Sequence, residues 1–135
     1  MQNGFARRRV VLTIPRNPPP TGNVVYRLHW AQLRQLKEMW NAEVSVAAML
    51  AGRPRFKRAR ISMRLYYRDR RKRDLDNIMA GPVKVLLDGL RYAKVIPDDD
   101  MATIDLAEPK VYRDKYDPRV EIEIEALPDE GEDAK

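Results

Sequence analysis

Cysteine is absent from these 135 residues, which excludes a disulfide framework, a thiolate metal site and a cysteine nucleophile. Histidine is nearly absent too: His29 stands alone, so a single chain cannot build a multi-histidine metal site. No apolar run approaches the ~20 residues that a bilayer-spanning helix needs. The opening "MQNGFARRRV" has no apolar stretch of the kind a signal peptide carries. A soluble, cytoplasmic protein with no membrane partner is therefore expected. What the chain has in surplus is positive charge, 26 Lys and Arg against 20 Asp and Glu, for a net charge of +6. That balance favours a polyanionic partner, but many small basic proteins have none, so charge alone does not decide. The length fits one domain that can bury its own core.

Apolar periodicity gives the order of elements. "RRRVVLTIP", residues 7 to 15, is short and β-branched and is stopped by Pro15, so it reads as a first strand. "RNPPPTGN" follows as a stiff loop, with a turn allowed at Gly22-Asn23. Between about Trp30 and Ala51, Leu33, Leu36, Trp40, Val44, Ala47 and Leu50 recur at helical spacing, and Gly52 and Pro54 close that helix. "RARISMRLYY" alternates, with Ile61, Met63, Leu65 and Tyr67 on one face. A second helix is expected over residues 77 to 92, striped by Val83, Leu86, Leu87 and Leu90. Pro82 must either start its regular part or kink it. Two more strands are expected near 102 to 112 and 118 to 126, the latter with glutamates on a solvated or edge face. The expectation is an α+β fold, a small mixed sheet of about four strands in the order β-α-β-α-β-β with two helices packed on it. Residues 1 to 127 form the domain, and 128 to 135 an acidic, disordered tail.

The chemistry concentrates in "RRKRDLDNIMAG", residues 70 to 81. In an extended segment, residues two apart project to the same side, so Asp74 and Asp76 would converge while Leu75 points to the core. Paired carboxylates repel one another unless a cation lies between them, and Mg²⁺ suits one or two carboxylates plus waters and phosphate oxygens. The run Asp98-Asp99-Asp100 follows the second helix, and its loop could bring a third carboxylate to the pair, a set suited to phosphodiester hydrolysis. The plainer alternatives are that Asp74 or Asp76 caps the second helix and that "IPDDD" is a solvated turn. The surroundings favour the metal reading. Eleven Lys and Arg lie between Arg53 and Arg73 against one acid, Asp69. A cationic strand end beside the carboxylates would deliver DNA to a metal, with Arg70, Arg71, Lys72 and Arg73 gripping phosphates.

"RKRDLDNI", then "KVLLDGL", then "KVIPDD" resembles the RusA family of Holliday-junction resolvases and RusA-like endodeoxyribonucleases, often carried by phages. "LTIPRNPPPTGN" and "RLHWAQLR" are similar to that family's first strand and loop, and the resemblance runs from about residue 11 to 125. It implies a Mg²⁺-dependent homodimer, with Mn²⁺ as a possible substitute, acting on branched DNA in recombination and repair. It implies metal ligation by Asp74, Asp76 and Asp99, or Asp100 if the loop is aligned from "TID" backward. The family's lysine one turn after the second aspartate is replaced here by Ala80, and the resemblance carries that lysine to Lys84.

The resulting expectation is a structure-selective DNA endonuclease with Asp74, Asp76, Asp99 and Lys84 as its catalytic set. The rivals are a non-catalytic nucleic-acid-binding module and a protein whose basic face meets an acidic partner. His29 is expected to start or pack a helix. Tyr66, Tyr67 and Trp30 are expected to pack in the core or on the sheet rather than on bases.

Overall fold

Strict alternation of apolar and polar residues lets β2 (Ala59–Tyr67) and β5 (Arg119–Ala126) pair antiparallel along their length, Ile61 opposite Ile124 and Leu65 opposite Val120. The computed structural model, which describes residues 8 to 128, adds β1 (Arg9–Ile14) antiparallel to the far side of β5. The other edge of β2 takes two short parallel strands in succession, β3 (Ile104–Leu106) beside its beginning and β4 (Lys110–Arg113) beside its end. The fold is the expected α+β arrangement of a small mixed sheet with helices packed on it, and the sheet has five strands. The single strand expected near 102 to 112 is divided between Leu106 and Lys110, where Pro109 cannot donate to the ladder.

One face of the sheet is covered. Leu12, Ile14, Ile61, Met63, Leu65, Val120, Ile122 and Ile124 are each at most 1% exposed and share a core with the helices. Helix α2 (Trp30–Leu50) contributes Trp40, Val44, Ala47 and Ala48, though Leu50, expected in its stripe, is exposed. His29 starts that helix as expected: its Nδ1 accepts from Ala31 N–H, and Gln32 reaches back to His29 N–H. The long second helix packs on α2 so closely that a Cβ at Gly89 would lie 2.8 Å from Val44 Cγ2. Its expected stripe of Val83, Leu86, Leu87 and Leu90 is buried.

The uncovered face carries an ionic lattice. The strand 118 to 126 is central, not an edge, and its glutamates are only partly solvated. Glu121 accepts from Arg64 Nε at 2.8 Å and Arg119 Nε at 2.9 Å, and Glu123 pairs with Arg64 and Arg9. Tyr66 stacks on Tyr112 there, under the Arg119 guanidinium. The acidic tail from residue 129 onward lies outside the described residues.

Candidate active site

Strands β1, β2 and β4 run in one direction and β5 in the other. Three connections therefore meet at one end of the sheet: the proline-rich loop after β1, the basic segment after β2, and the turn between β4 and β5. Backbone bonds tie them together. Arg68 N–H donates to Asn17 Oδ1 at 3.1 Å, and Asp114 N–H donates to the Tyr67 carbonyl at 2.8 Å.

Tyr67 and Arg73 organise this end. The Tyr67 ring closes β2 in the core, and its hydroxyl donates to the Pro19 carbonyl at 3.3 Å. Burial pushes its phenol up to about 12, against the opposing effect of the Arg73 charge, so it stays a donor at neutral pH. Arg73 lies flat on that ring, its guanidinium carbon 3.5 Å from the centroid, and pairs with Asp69 at 2.8 Å. With a side chain only 9% exposed, Arg73 is a structural cation. Arg70, Arg71 and Lys72 project into solvent around it. Asp69 bends the segment by accepting from Arg71 N–H; that bond and the Arg73 side chain hold its carboxyl below the usual range.

Asp74 and Asp76 follow directly, but not on the extended segment expected from their spacing. Asp74 is the N-cap of α3 (Leu75–Ile78), and Asp76 already lies in its first turn. Leu75 is half exposed rather than pointing to the core, because helical geometry replaces strand alternation there. The Asp74 Oδ1 accepts from Asn77 N–H at 2.8 Å and its Oδ2 from Asn77 Nδ2 at 3.1 Å. Asn77 Oδ1 in turn accepts from Asn23 N–H at 3.0 Å. Asn77 therefore fixes the Asp74 carboxylate against α1 (Gly22–Arg27), a short helix where the sequence suggested only a loop and turn. Asp76 is exposed, and its carboxylate has no hydrogen-bond or ion-pair partner among the described residues.

After Ile78 the helix neither begins afresh nor breaks at Pro82. It widens into a π-helical turn, Met79–Val83, and resumes as α4 (Lys84–Tyr92). Position 81 must be glycine: a Cβ there would stand 2.4 Å from the Pro20 carbonyl oxygen and 2.6 Å from Gly22 N. This approach lets the proline-rich loop and α1 lie across the helix beside Asp74. Ala80, at the position that the resemblance gives to the family lysine, faces Gly22.

The third acidic region sits elsewhere. The Asp98–Asp100 loop leads into β3, which pairs with the beginning of β2, whereas Asp74 follows its end. Asp99 faces α4: its Oδ2 is 3.6 Å from Lys84 Nζ and its Oδ1 is 3.9 Å from Arg91 Nη1. Lys84 also pairs with Asp88 at 3.2 Å, and Arg91 with Asp88 at 2.9 Å. Partial burial would push the Asp99 carboxyl up, but the Arg91 and Lys84 charges outweigh it and hold it below the usual range. Asp100 instead builds the loop, its Oδ1 accepting from Ala102 and Thr103 N–H. The structure thus joins Lys84 to Asp99 and leaves Asp74 and Asp76 as a separate pair. Among the described residues, no three acidic or histidine side chains come together as a cage for a metal ion.

Sequence reasoning gave no role to Asn77, although its spacing of three from a capping aspartate is the signal. It also missed the Tyr67–Arg73–Asp69 knot, for which no local signal exists. A family described as endodeoxyribonuclease RusA matches this architecture by sequence over residues 16 to 125. The chain belongs to the RusA family. It is accordingly an endodeoxyribonuclease of the crossover-junction resolvase type. The match spans the RusA-type proline-rich loop, the basic segment, both acidic regions and the last strand. No curated protein matches the chain.

Proposed function

We propose that this chain cuts branched DNA such as four-way junctions, in recombination and repair, by hydrolysis that depends on a divalent cation, Mg²⁺ or Mn²⁺. The observation that supports this most is the exposed pair Asp74 and Asp76 at the head of α3, immediately beside the solvent-facing Arg70, Arg71 and Lys72. The donor chemistry fits a hard ion. Each Asp74 oxygen accepts one bond and keeps a further lone pair, Asp76 has no partner among the described residues, and two carboxylates completed by water and phosphate suffice for Mg²⁺.

Asp74 and Asp76 would hold the ion, with Asp99 as third carboxylate once it parts from Lys84 and Arg91. Asp100 is retained by its loop. When bound, the ion polarises the scissile phosphate and acidifies the attacking water. Asn77 holds Asp74 in one orientation, so the carboxylate does not need to be ordered on metal binding. Arg70, Arg71 and Lys72 position the backbone, and Arg73 keeps their loop in place through Tyr67. Lys84, its side chain 56% exposed, would donate to phosphate oxygens when released from Asp88 and Asp99. A homodimer, as the family resemblance implies, would supply the two active sites that paired cuts need.

Cleavage of a synthetic four-way junction, with and without Mg²⁺ and beside a linear duplex of equal length, tests this reading. Metal-dependent cutting of the junction is expected, with binding that weakens steeply as salt rises. Tight junction binding with no cutting under Mg²⁺ or Mn²⁺ would favour the non-catalytic binding module instead.

A further inference from the structure

Tyr116 has no part in the reading above, yet it is 89% exposed at the tip of the turn between β4 and β5. An aromatic ring in water at a turn tip is often only a solvated residue; three features set this one apart. The turn beneath it is held on all sides. Asp114 Oδ1 accepts from Tyr116 N–H at 3.2 Å and Asp117 N–H at 3.0 Å. Arg119 Nη1 donates to Asp114 Oδ2 at 3.0 Å and to the Asp117 carbonyl at 2.9 Å, while its guanidinium covers Tyr66 at 3.7 Å. The backbone that carries the ring is therefore held, so only the Tyr116 side chain remains to be ordered when something stacks on it.

Its setting is cationic. Lys115 Nζ lies 5.6 Å from the ring centroid. Tyr116 also borders a depression of about 480 Å³ shared with Arg16, Asn17, Arg68 and Asp117. Arg16 is paired with Glu43 and Asp117 with Arg119, so Arg68 is the lining charge without an ion-pair partner among the described residues. Finally, the depression shares Asn17 with a second hollow of about 290 Å³ lined by Tyr67, Asp69, Arg71, Lys72 and Arg73, the last of these the residue before Asp74. A strand whose phosphates follow these cations would bring its bases past the Tyr116 ring.

We propose that Tyr116 stacks on an unpaired or splayed base at the branch point, making it a specificity-determining residue that favours branched over continuous duplex DNA. Stacking on an aromatic ring needs an exposed base face, which a continuous duplex withholds and a crossover or a single strand offers. The inference rests on the branched-DNA reading and adds to it the residue that recognises the branch.

The test is equilibrium binding without Mg²⁺ to a four-way junction and to a linear duplex, for wild type, Tyr116→Ala and Tyr116→Phe. A second junction carries 2-aminopurine beside the crossover. Tyr116→Ala should weaken junction binding by about 5- to 100-fold and leave duplex binding unchanged. It should also abolish the 2-aminopurine quenching expected with wild type, and Tyr116→Phe should restore both. Equal loss on junction and duplex, or no loss with quenching intact, overturns the role of Tyr116 while leaving the nuclease reading standing. A wild type that shows no preference for the junction overturns the branched-DNA reading and this inference with it.

Discussion

Two acidic regions flank the same long helix, and their surroundings differ in kind. At its head, Asp74 is held by a neutral amide, Asn77, and Asp76 has no partner among the described residues. Along its body, Asp99 sits between Lys84 and Arg91, with Asp88 sharing both cations. A carboxylate already compensated by two cations gains less from a metal than one whose charge faces water, because it must give up those partners first. Proximity of acids in a sequence says little about ligand strength; the partners each has in the fold decide it.

The sharpest way to break the comparison is to neutralise one acid from each region. Asp76→Asn should reduce Mg²⁺-dependent junction cleavage by on the order of 10³-fold, with junction binding retained. Asp99→Asn should reduce it by a smaller factor, in single-turnover assays of both variants. A larger loss at Asp99 would reverse the ranking.

Next in size is the support around Asp74. Gly81→Ala forces a Cβ against the Pro20 carbonyl and Gly22 N, and should destabilise the fold by about 1–3 kcal/mol. Thermal or urea unfolding measures this, and an unchanged midpoint would mean that the proline-rich loop is not pinned across the helix. Asn77→Ala should cost about 10- to 100-fold in metal affinity or activity. Asn77→Asp, which removes one amide donor and adds charge, should not rescue it.

The smallest effect concerns the compensated region. Because Asp99 has a lowered carboxyl pKa in the fold, its pairing contributes fully above the unfolded value of about 4 and fades as pH falls through the lower folded value. Arg91→Ala should move that fade to higher pH. Urea unfolding between pH 2 and 7 for both proteins would show it, and identical profiles would mean that Arg91 does not stabilise the Asp99 charge.

Much of this was legible in the chain. The alternation of Ile61, Met63, Leu65 and Tyr67 and the stripe of Val83, Leu86, Leu87 and Leu90 both describe the core as folded. Local pattern failed where tertiary contact decides. Helix α1 follows three prolines and begins at a glycine, and it is held by its packing against the π-helical turn. Asp-Leu-Asp is different: Asp74 caps a helix, the plainer of the two local readings, because Asn77 N–H lies within reach of its carboxylate. The irregularity at Pro82 was signalled, but the approach of Gly81 to Pro20 and Gly22 of the proline-rich loop has no local signal. Pro109, like the spacing of Asn77 from Asp74, is a local cue, and it marks the division between β3 and β4.

Binding of Mn²⁺ to the free protein, measured by calorimetry or electron paramagnetic resonance on wild type, Asp76→Asn and Asp99→Asn, tests the central claim most directly. The account predicts that Asp76→Asn loses the ion while Asp99→Asn keeps a weakened site. An Asp76→Asn protein that binds Mn²⁺ as wild type does would contradict it.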